Sequence, residues 1–217
     1  GILTLPLSKE KINKYVDKSF IDQTNFFSSL ENTNDSNMVF IFKNKFFIPL
    51  TTHIELKNVH SYFKNSNLII KKIININKTL INDFKIKSPK LIIAGINPHA
   101  GENGVISNDE NKYLLPIIKK VKKNAIKITG PISGDGLLSK NNLAKYNAFI
   151  FTYHDQALIP FKILSNFGGV NFTSNLKVIR VSPSHGTAVE LIGKNIAKSD
   201  GIINNYKLIN KISKNRK

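Results

Sequence analysis

The sequence predicts an α/β fold with a largely parallel or mixed sheet, and three features carry that expectation. Short apolar runs such as KLIIAGI and AFIFTY have the length of buried strands. Between them lie longer stretches with helical apolar spacing. The two patterns alternate along the chain, with no internal repeat and no low-complexity linker between them.

Taken in order, residues 1–7 (GILTLPL) read as a short strand and 8–17 as a helix with Ser8 as N-cap. Residues 32–37 form a polar loop. NMVFIF and KFFIPL then flank Lys43-Asn44 as a hairpin. Residues 56–84 are helical, with a break near 65–67, and 90–96 are a buried strand. The stretch 108–124 is an amphipathic helix with acids first and lysines last, so Asp109 and Glu110 read as first-turn residues that favour the helix dipole. Residues 148–153 and 176–181 are further strands, and 188–197 and 204–212 close the chain as helices.

Composition narrows the chemistry. The chain has no cysteine, which removes disulfides, thiolate metal sites and cysteine nucleophiles together and leaves histidine and carboxylate as metal ligands. No apolar run approaches the roughly 18 residues that cross a bilayer, and residues 1–7 lack the basic start of a signal peptide. The expectation is a cytoplasmic enzyme with no membrane partner. A net charge of +18 invites a nucleic-acid reading, but the lysines are scattered among Asn and Ile without a basic arm or an aromatic-interleaved stripe, so no nucleic-acid partner is expected. The positive background favours phosphate-bearing substrates instead.

Of 32 basic residues only Arg180 and Arg216 are arginine. Arg216 lies in the terminal KISKNRK and reads as part of a frayed tail. Arg180 follows an apolar run, and its planar fork suits bidentate recognition of phosphate or carboxylate, or a structural pairing with a buried acid.

The five histidines are the strongest chemical signal. His53, His99, His154 and His185 each follow a β-rich run, where ligands gather in open α/β sheets. His60 lies inside a helical segment and reads as structural or solvent-facing. Three neutral imidazoles can hold a divalent ion and leave positions open, and His53, His99 and His154 are the best trio. From pattern alone, histidines bonded locally in loops are an equally open reading. NPHAGENG surrounds His99 with glycines, GPISGDG presents Asp135, and YHDQ places Asp155 where it could orient an imidazole.

In this order and spacing, TLPLSKEKIN, TTH, NPHAGENG, GPISGD, YHDQALIPFK, FGGVNFT and IRVSPSHGTA resemble the 4-hydroxythreonine-4-phosphate dehydrogenases of pyridoxal 5'-phosphate (vitamin B6) synthesis, from about Leu3 to Ile212. The resemblance implies an isocitrate/isopropylmalate-dehydrogenase-like fold of two α/β lobes with a cleft, and a homodimer sharing the active site. It implies residues 1–170 as the central lobe with the metal and substrate site. Residues 171–217 would be the C-terminal part of an NAD-binding lobe that lacks its N-terminal part. The family's metal ligands fall on His53, His99 and His154, and its substrate contacts on Gln23, Thr24, Lys162, Asn171 and Arg180. His185, Gly186, Thr187 and Ala188 resemble a loop that holds the adenosine part of NAD. Implied cofactors are NAD or NADP and one divalent metal: zinc, magnesium or cobalt. The implied reaction oxidises the hydroxyl of 4-phosphooxy-L-threonine and then releases CO2 to give 3-amino-2-oxopropyl phosphate. Lys162 would act on the substrate and Asp135 would assist proton movement, though Asp135 equally suits a turn.

Two positions depart from the family pattern. Gln23 stands where a histidine is usual and cannot act as an acid or base near neutral pH, and Ser184 replaces an acid before HGTA. The chain also starts inside the family's usual length. A dehydrogenase of another phosphorylated hydroxy acid (threonate or erythronate phosphate) and an inactive truncated remnant are the alternative readings.

Overall fold

The computed structural model describes residues 1–166 and 168–217; Phe167, the first residue of the FGGVNFT motif, lies outside them. One eight-stranded mixed sheet organises the chain, in the order β1-β8-β7-β2-β3-β6-β4-β5. Its strands are β1 (Ile2–Leu3), β2 (Asn37–Phe42), β3 (Lys45–Pro49), β4 (Lys90–Ala94), β5 (Lys127–Ile132), β6 (Ala148–Phe151), β7 (Val170–Ser174) and β8 (Arg180–Pro183). The α/β expectation holds, and the sheet runs without a break across residue 170, because β7 pairs with both β2 and β8.

The hairpin forms where the pattern places it. Lys43 and Asn44 both take positive φ (45° and 60°), the geometry that lets a two-residue turn follow strand twist. Helix α1 (Lys9–Tyr15) is capped by Ser8, and α2 (Gln23–Leu30) by Asp22. The 56–84 stretch breaks as expected: a short helix, α3 (Val59–Tyr62), is followed by α4 (Ser66–Asn82), capped by Asn65. The 108–124 stretch begins with a π-helical turn over Glu110–Leu114 and continues as α5 (Leu115–Lys122). Helices α6 (Lys140–Lys145), α7 (His154–Ser165) and α8 (Asp200–Asn215) complete the set.

Several sequence expectations fail. The 176–181 run is strand only from Arg180, because the amides of Lys177 and Val178 bind the Glu31 carboxylate and the carbonyls of Leu176 and Lys177 bind Arg216 instead of a neighbouring strand. Residues 188–197 form only a 3-10 turn at Val189–Leu191: Val189, Ile192 and Ile196 are exposed, so the apolar spacing has no surface to pack on. Arg216 is not in a frayed tail. Helix α8 runs to Asn215, and Arg216 grips Asp83 through Nε and Nη2 (2.7 and 2.8 Å) while Nη1 donates to the carbonyls of Leu176 and Lys177 (3.1 and 2.8 Å).

Alternation along the strands gives the sheet two apolar faces. On one, Phe46, Ile48, Leu91, Ile93, Ile150 and Phe172 pack on α4, α5 and α8. On the other, Phe40, Phe47, Ile92, Phe149 and Phe151 pack on Ala157 and Phe161 of α7. This second face carries the cleft described next.

Candidate active site

Strands β3, β6 and β4 run parallel to one another, so the segments after them leave the sheet at one end. His53, His99 and His154 sit on those segments. Between β3 and β8 the chain direction reverses three times, at β3/β2, β2/β7 and β7/β8. His185, which follows β8, therefore leaves at the opposite end. Strand direction is invisible in the apolar pattern, which is why the four histidines look equivalent in sequence.

A cleft of about 380 Å³ nevertheless joins both ends across the sheet face. Its wall is one stripe of α7, with His154, Leu158 and Lys162 spaced four apart on a single helical face. Its floor is alternate strand positions, Met38 and Phe40 of β2 with Arg180 and Ser182 of β8. Gln23, Thr24, Asn171, His53, His185, Gly186 and Thr187 also line it, so most of the expected substrate and cofactor contacts share one space. Ala188, in left-handed conformation (φ 49°), is next to this lining.

Arg180 is the electrostatic centre of the cleft. It is 2% exposed, yet no carboxylate pairs with it among the described residues. Its fork is held by neutral oxygens instead. Nε and Nη2 donate to Thr4 Oγ1 (3.1 and 2.8 Å), Nη1 donates to Thr173 Oγ1 (3.2 Å), and Nη2 also donates to Gln23 Oε1. Gln23 is fixed in turn by donating to the Leu5 carbonyl at 2.9 Å. Burial pushes the guanidinium down to about 10, with the charge of Asp22 opposing that shift, so it stays cationic at neutral pH. Beside it, the amide oxygen of Asn171 is buried without a donor among the described residues, an unmet bond that a ligand or ordered water would supply.

At the other end of the cleft the His53 and His154 rings lie 5.5 Å apart between centroids. Each is backed by a carboxylate on Nδ1: Asp22 Oδ2 for His53 and Asp155 Oδ1 for His154, both at 2.7 Å. That arrangement leaves Nε2 of each ring to face a ligand. Asp22 is buried, which would raise its carboxyl. The hydrogen bonds from His53 and the Asn25 amide, with the charges of His53 and Lys9, outweigh burial and hold it below the ordinary range. His99 is not brought into this pair. It lines a separate cavity of about 410 Å³ with Ser133, Asp135 and Gln156, and Tyr153 is common to that cavity and to one beside His53 and His154. Among the described residues, no three His, Asp or Glu side chains converge closely enough to hold an ion. Two carboxylate-backed imidazoles are donors of the type a divalent metal takes, but the described residues of one chain do not bring a third donor to them.

Asp135 is exposed, and hydrogen bonds from the Ser133 hydroxyl and the Gly136 amide hold its carboxyl below the ordinary range. It is a carboxylate at neutral pH and sits in the cavity of His99.

Three structural roles escape a reading by motif. Glu110 is 3% exposed, and its Oε1 accepts the amides of Ile96 and Asn97, both at 2.8 Å. It anchors the His99 loop and is no surface dipole residue. In that loop His99, Ala100, Gly101, Glu102 and Asn103 all have positive φ, a left-handed turn that costs non-glycine residues about 1–2 kcal/mol each. Gly101 permits the close approach, since a Cβ there would strike the Glu110 carboxylate. Gln156 joins two strand ends, accepting from the Thr152 amide (2.9 Å) and donating to the Gly95 carbonyl (3.0 Å). Asp22, the cap of α2 and the backing of His53, is the third. Only its place before Gln23-Thr24 could have flagged it.

The family of the pyridoxal phosphate biosynthetic protein PdxA matches residues 1–209. The chain belongs to the PdxA family. It is 38% identical over 209 residues to the 4-hydroxythreonine-4-phosphate dehydrogenase of Aquifex aeolicus, covering 96% of this chain and 64% of the relative. A crystal structure of the Klebsiella pneumoniae enzyme of that name superposes with a TM-score of 0.83 at 30% identity, covering 97% of this chain and 64% of that one. A β-decarboxylating dehydrogenase from Thermococcus kodakarensis, 8% identical over 96% of this chain and 70% of its own, shares the fold with a TM-score of 0.51. The expected fold family is therefore present. This PdxA-family chain spans just under two thirds of the length of the relatives it matches.

Proposed function

We propose that this chain carries the substrate and metal residues of a 4-hydroxythreonine-4-phosphate dehydrogenase, which oxidises 4-phosphooxy-L-threonine with NAD and releases CO2 in pyridoxal 5'-phosphate synthesis. The observation that carries the proposal is Arg180, a buried cation without a carboxylate partner among the described residues, opening on the same cleft as two carboxylate-backed imidazoles. A buried charge of this kind is costly alone and stable once an anion meets it.

In this reading Arg180 and Lys162 bind the anionic groups of the substrate, and Asn171 and Thr24 orient it by directional hydrogen bonds. His53 and His154 would hold the divalent ion with His99 as third donor. Because His99 lies apart within one chain, a homodimer sharing the site is the arrangement we favour. A bound divalent ion would supply charge stabilisation at the reacting oxygen, and a bound nicotinamide would supply the hydride acceptor. His185, Gly186, Thr187 and Ala188 would meet the adenosine part of the cofactor at the far end of the cleft. Gln23 holds Arg180 in place and moves no proton. Asp135, as a carboxylate, would accept a proton in the cavity of His99. In the same reading residues 171–217 belong with the cofactor lobe and the protein works in the cytoplasm.

The test is NADH formation by the purified chain with a divalent metal and either 4-phosphooxy-L-threonine or 4-phospho-erythronate. Turnover of the first, abolished in Arg180→Met, is the expected result. Preference for the amine-free substrate would overturn the assignment.

A further inference from the structure

Among the side chains around the cleft, Asp22 has a geometry that no motif assigns. We propose that Asp22 is a positioning residue that fixes His53 in the tautomer whose Nε2 lone pair faces the cleft. The proposal deepens the metal-site reading above, but its decisive measurement does not depend on a metal.

Asp22 is 3% exposed and both its carboxylate oxygens are engaged. Oδ1 accepts the Asn25 amide N–H at 2.9 Å, capping α2. Oδ2 accepts from Asn25 Nδ2 at 2.9 Å and meets His53 Nδ1 at 2.7 Å. A carboxylate has no proton to give, so Nδ1 of His53 must carry the hydrogen, and in the neutral ring Nε2 then holds the lone pair. An exposed second partner is compatible with the same form from the other side of the ring, without fixing it. Lys9 Nζ, which can only donate, lies 3.5 Å from His53 Nε2. The comparable pair at the neighbouring histidine is weaker, because the Asp155 side chain is 72% exposed and competes with water for His154. Asp22 also opens the helix whose first two residues, Gln23 and Thr24, line the cleft. One carboxylate therefore ties the substrate-facing turn to the metal-facing imidazole.

Asp22→Asn separates this role from simple capping. Asparagine caps a helix as well as aspartate, but its single carbonyl oxygen cannot serve both the Asn25 amide and His53 Nδ1. With the cap kept, the amide NH2 faces Nδ1, which must turn acceptor and move the proton to Nε2. The measurement is a long-range 1H–15N spectrum of the histidine rings in the metal-free full chain at mildly alkaline pH, with His53 assigned through His53→Gln. Wild type should show the Nδ1–H form and Asp22→Asn the Nε2–H form. Asp22→Ser, which caps without reaching the ring, should show a mixture and covers the case where the asparagine variant fails to fold. An unchanged Nδ1–H signal in the variants would overturn the proposal and leave Asp22 a cap only.

Zinc titration by calorimetry then reads the consequence. Affinity should drop about 10- to 100-fold in Asp22→Asn while the melting temperature stays near wild type. A tautomer change with no zinc binding by wild type would count against the metal reading and leave the positioning role standing.

Discussion

The chain's two arginines lie in different parts of the molecule, and both are held by several hydrogen bonds. Arg216 meets a counter-charge: the Asp83 carboxylate accepts from its Nε and Nη2, and two main-chain carbonyls accept from its Nη1. Arg180 is more deeply buried but rests on hydroxyls and an amide, with no counter-charge at ion-pair distance among the described residues. The first is a finished clasp between α8, the end of α4 and the loop before β8. The second is a buried charge to which the described residues supply no counter-charge at ion-pair distance. In a chain that otherwise uses lysine, both places use the planar fork, one to join elements of the fold and one, in the function proposed above, to meet a ligand.

This contrast can be broken by removing each fork. Arg216→Ala leaves Asp83 buried without its partner and should destabilise the fold by about 3–5 kcal/mol. At this chain length that is a fall in melting temperature of roughly 10 °C, measurable by calorimetry. Arg180→Met should behave oppositely: no less stable than wild type in anion-free buffer, because an uncompensated buried charge is gone. Its loss appears with ligand. Inorganic phosphate should raise the melting temperature of wild type but not of Arg180→Met, with phosphate affinity reduced about 100-fold, the value of two charge-assisted hydrogen bonds. Equal stabilisation of both proteins would show that phosphate binds elsewhere.

Smaller changes sharpen the comparison. Arg216→Lys keeps the charge but cannot hold a carboxylate and two carbonyls together, and should cost about 1–2 kcal/mol in urea unfolding. The smallest effect is expected at Lys72, on α4, whose ammonium donates to the Ser36 carbonyl at 3.1 Å. Burial lowers its pKa from 10.5, with Asp35 opposing. A lowered lysine penalises the folded state fully at neutral pH, and the penalty fades as pH rises towards the unfolded value. Wild type should therefore gain on Lys72→Met between pH 7 and pH 10, by less than about 1 kcal/mol. A constant gap in urea midpoints would refute it.

Much of this architecture is legible in residue order. Apolar runs mark β3, β4 and β6, and the histidines after them mark one end of the sheet, because short buried strands announce themselves by composition. What local pattern cannot carry is direction and burial. His185 follows its strand just as His154 does, yet three antiparallel steps send it to the other end. Glu110 looks like a dipole residue until the fold buries it under the His99 loop. Asp22 is missed for a related reason, since its partner His53 is 31 residues away and only tertiary contact joins them. The 188–197 stretch errs in the other direction: helical spacing is present, but no neighbour covers it.

Helix α7 places His154 and Lys162 eight residues apart on one stripe, about 12 Å of rise. This helix, with Pro160 between the two marks, sets an imidazole and an ammonium at a distance along the cleft. If both marks meet one ligand, as in the function proposed above, they would grade it by length as well as by chemistry. A molecule long enough to engage both marks gains from each, whereas one a carbon shorter must let go at one end. Chain-length selectivity would then be a property of the helix pitch itself, untouched by substitutions that leave those two marks in place.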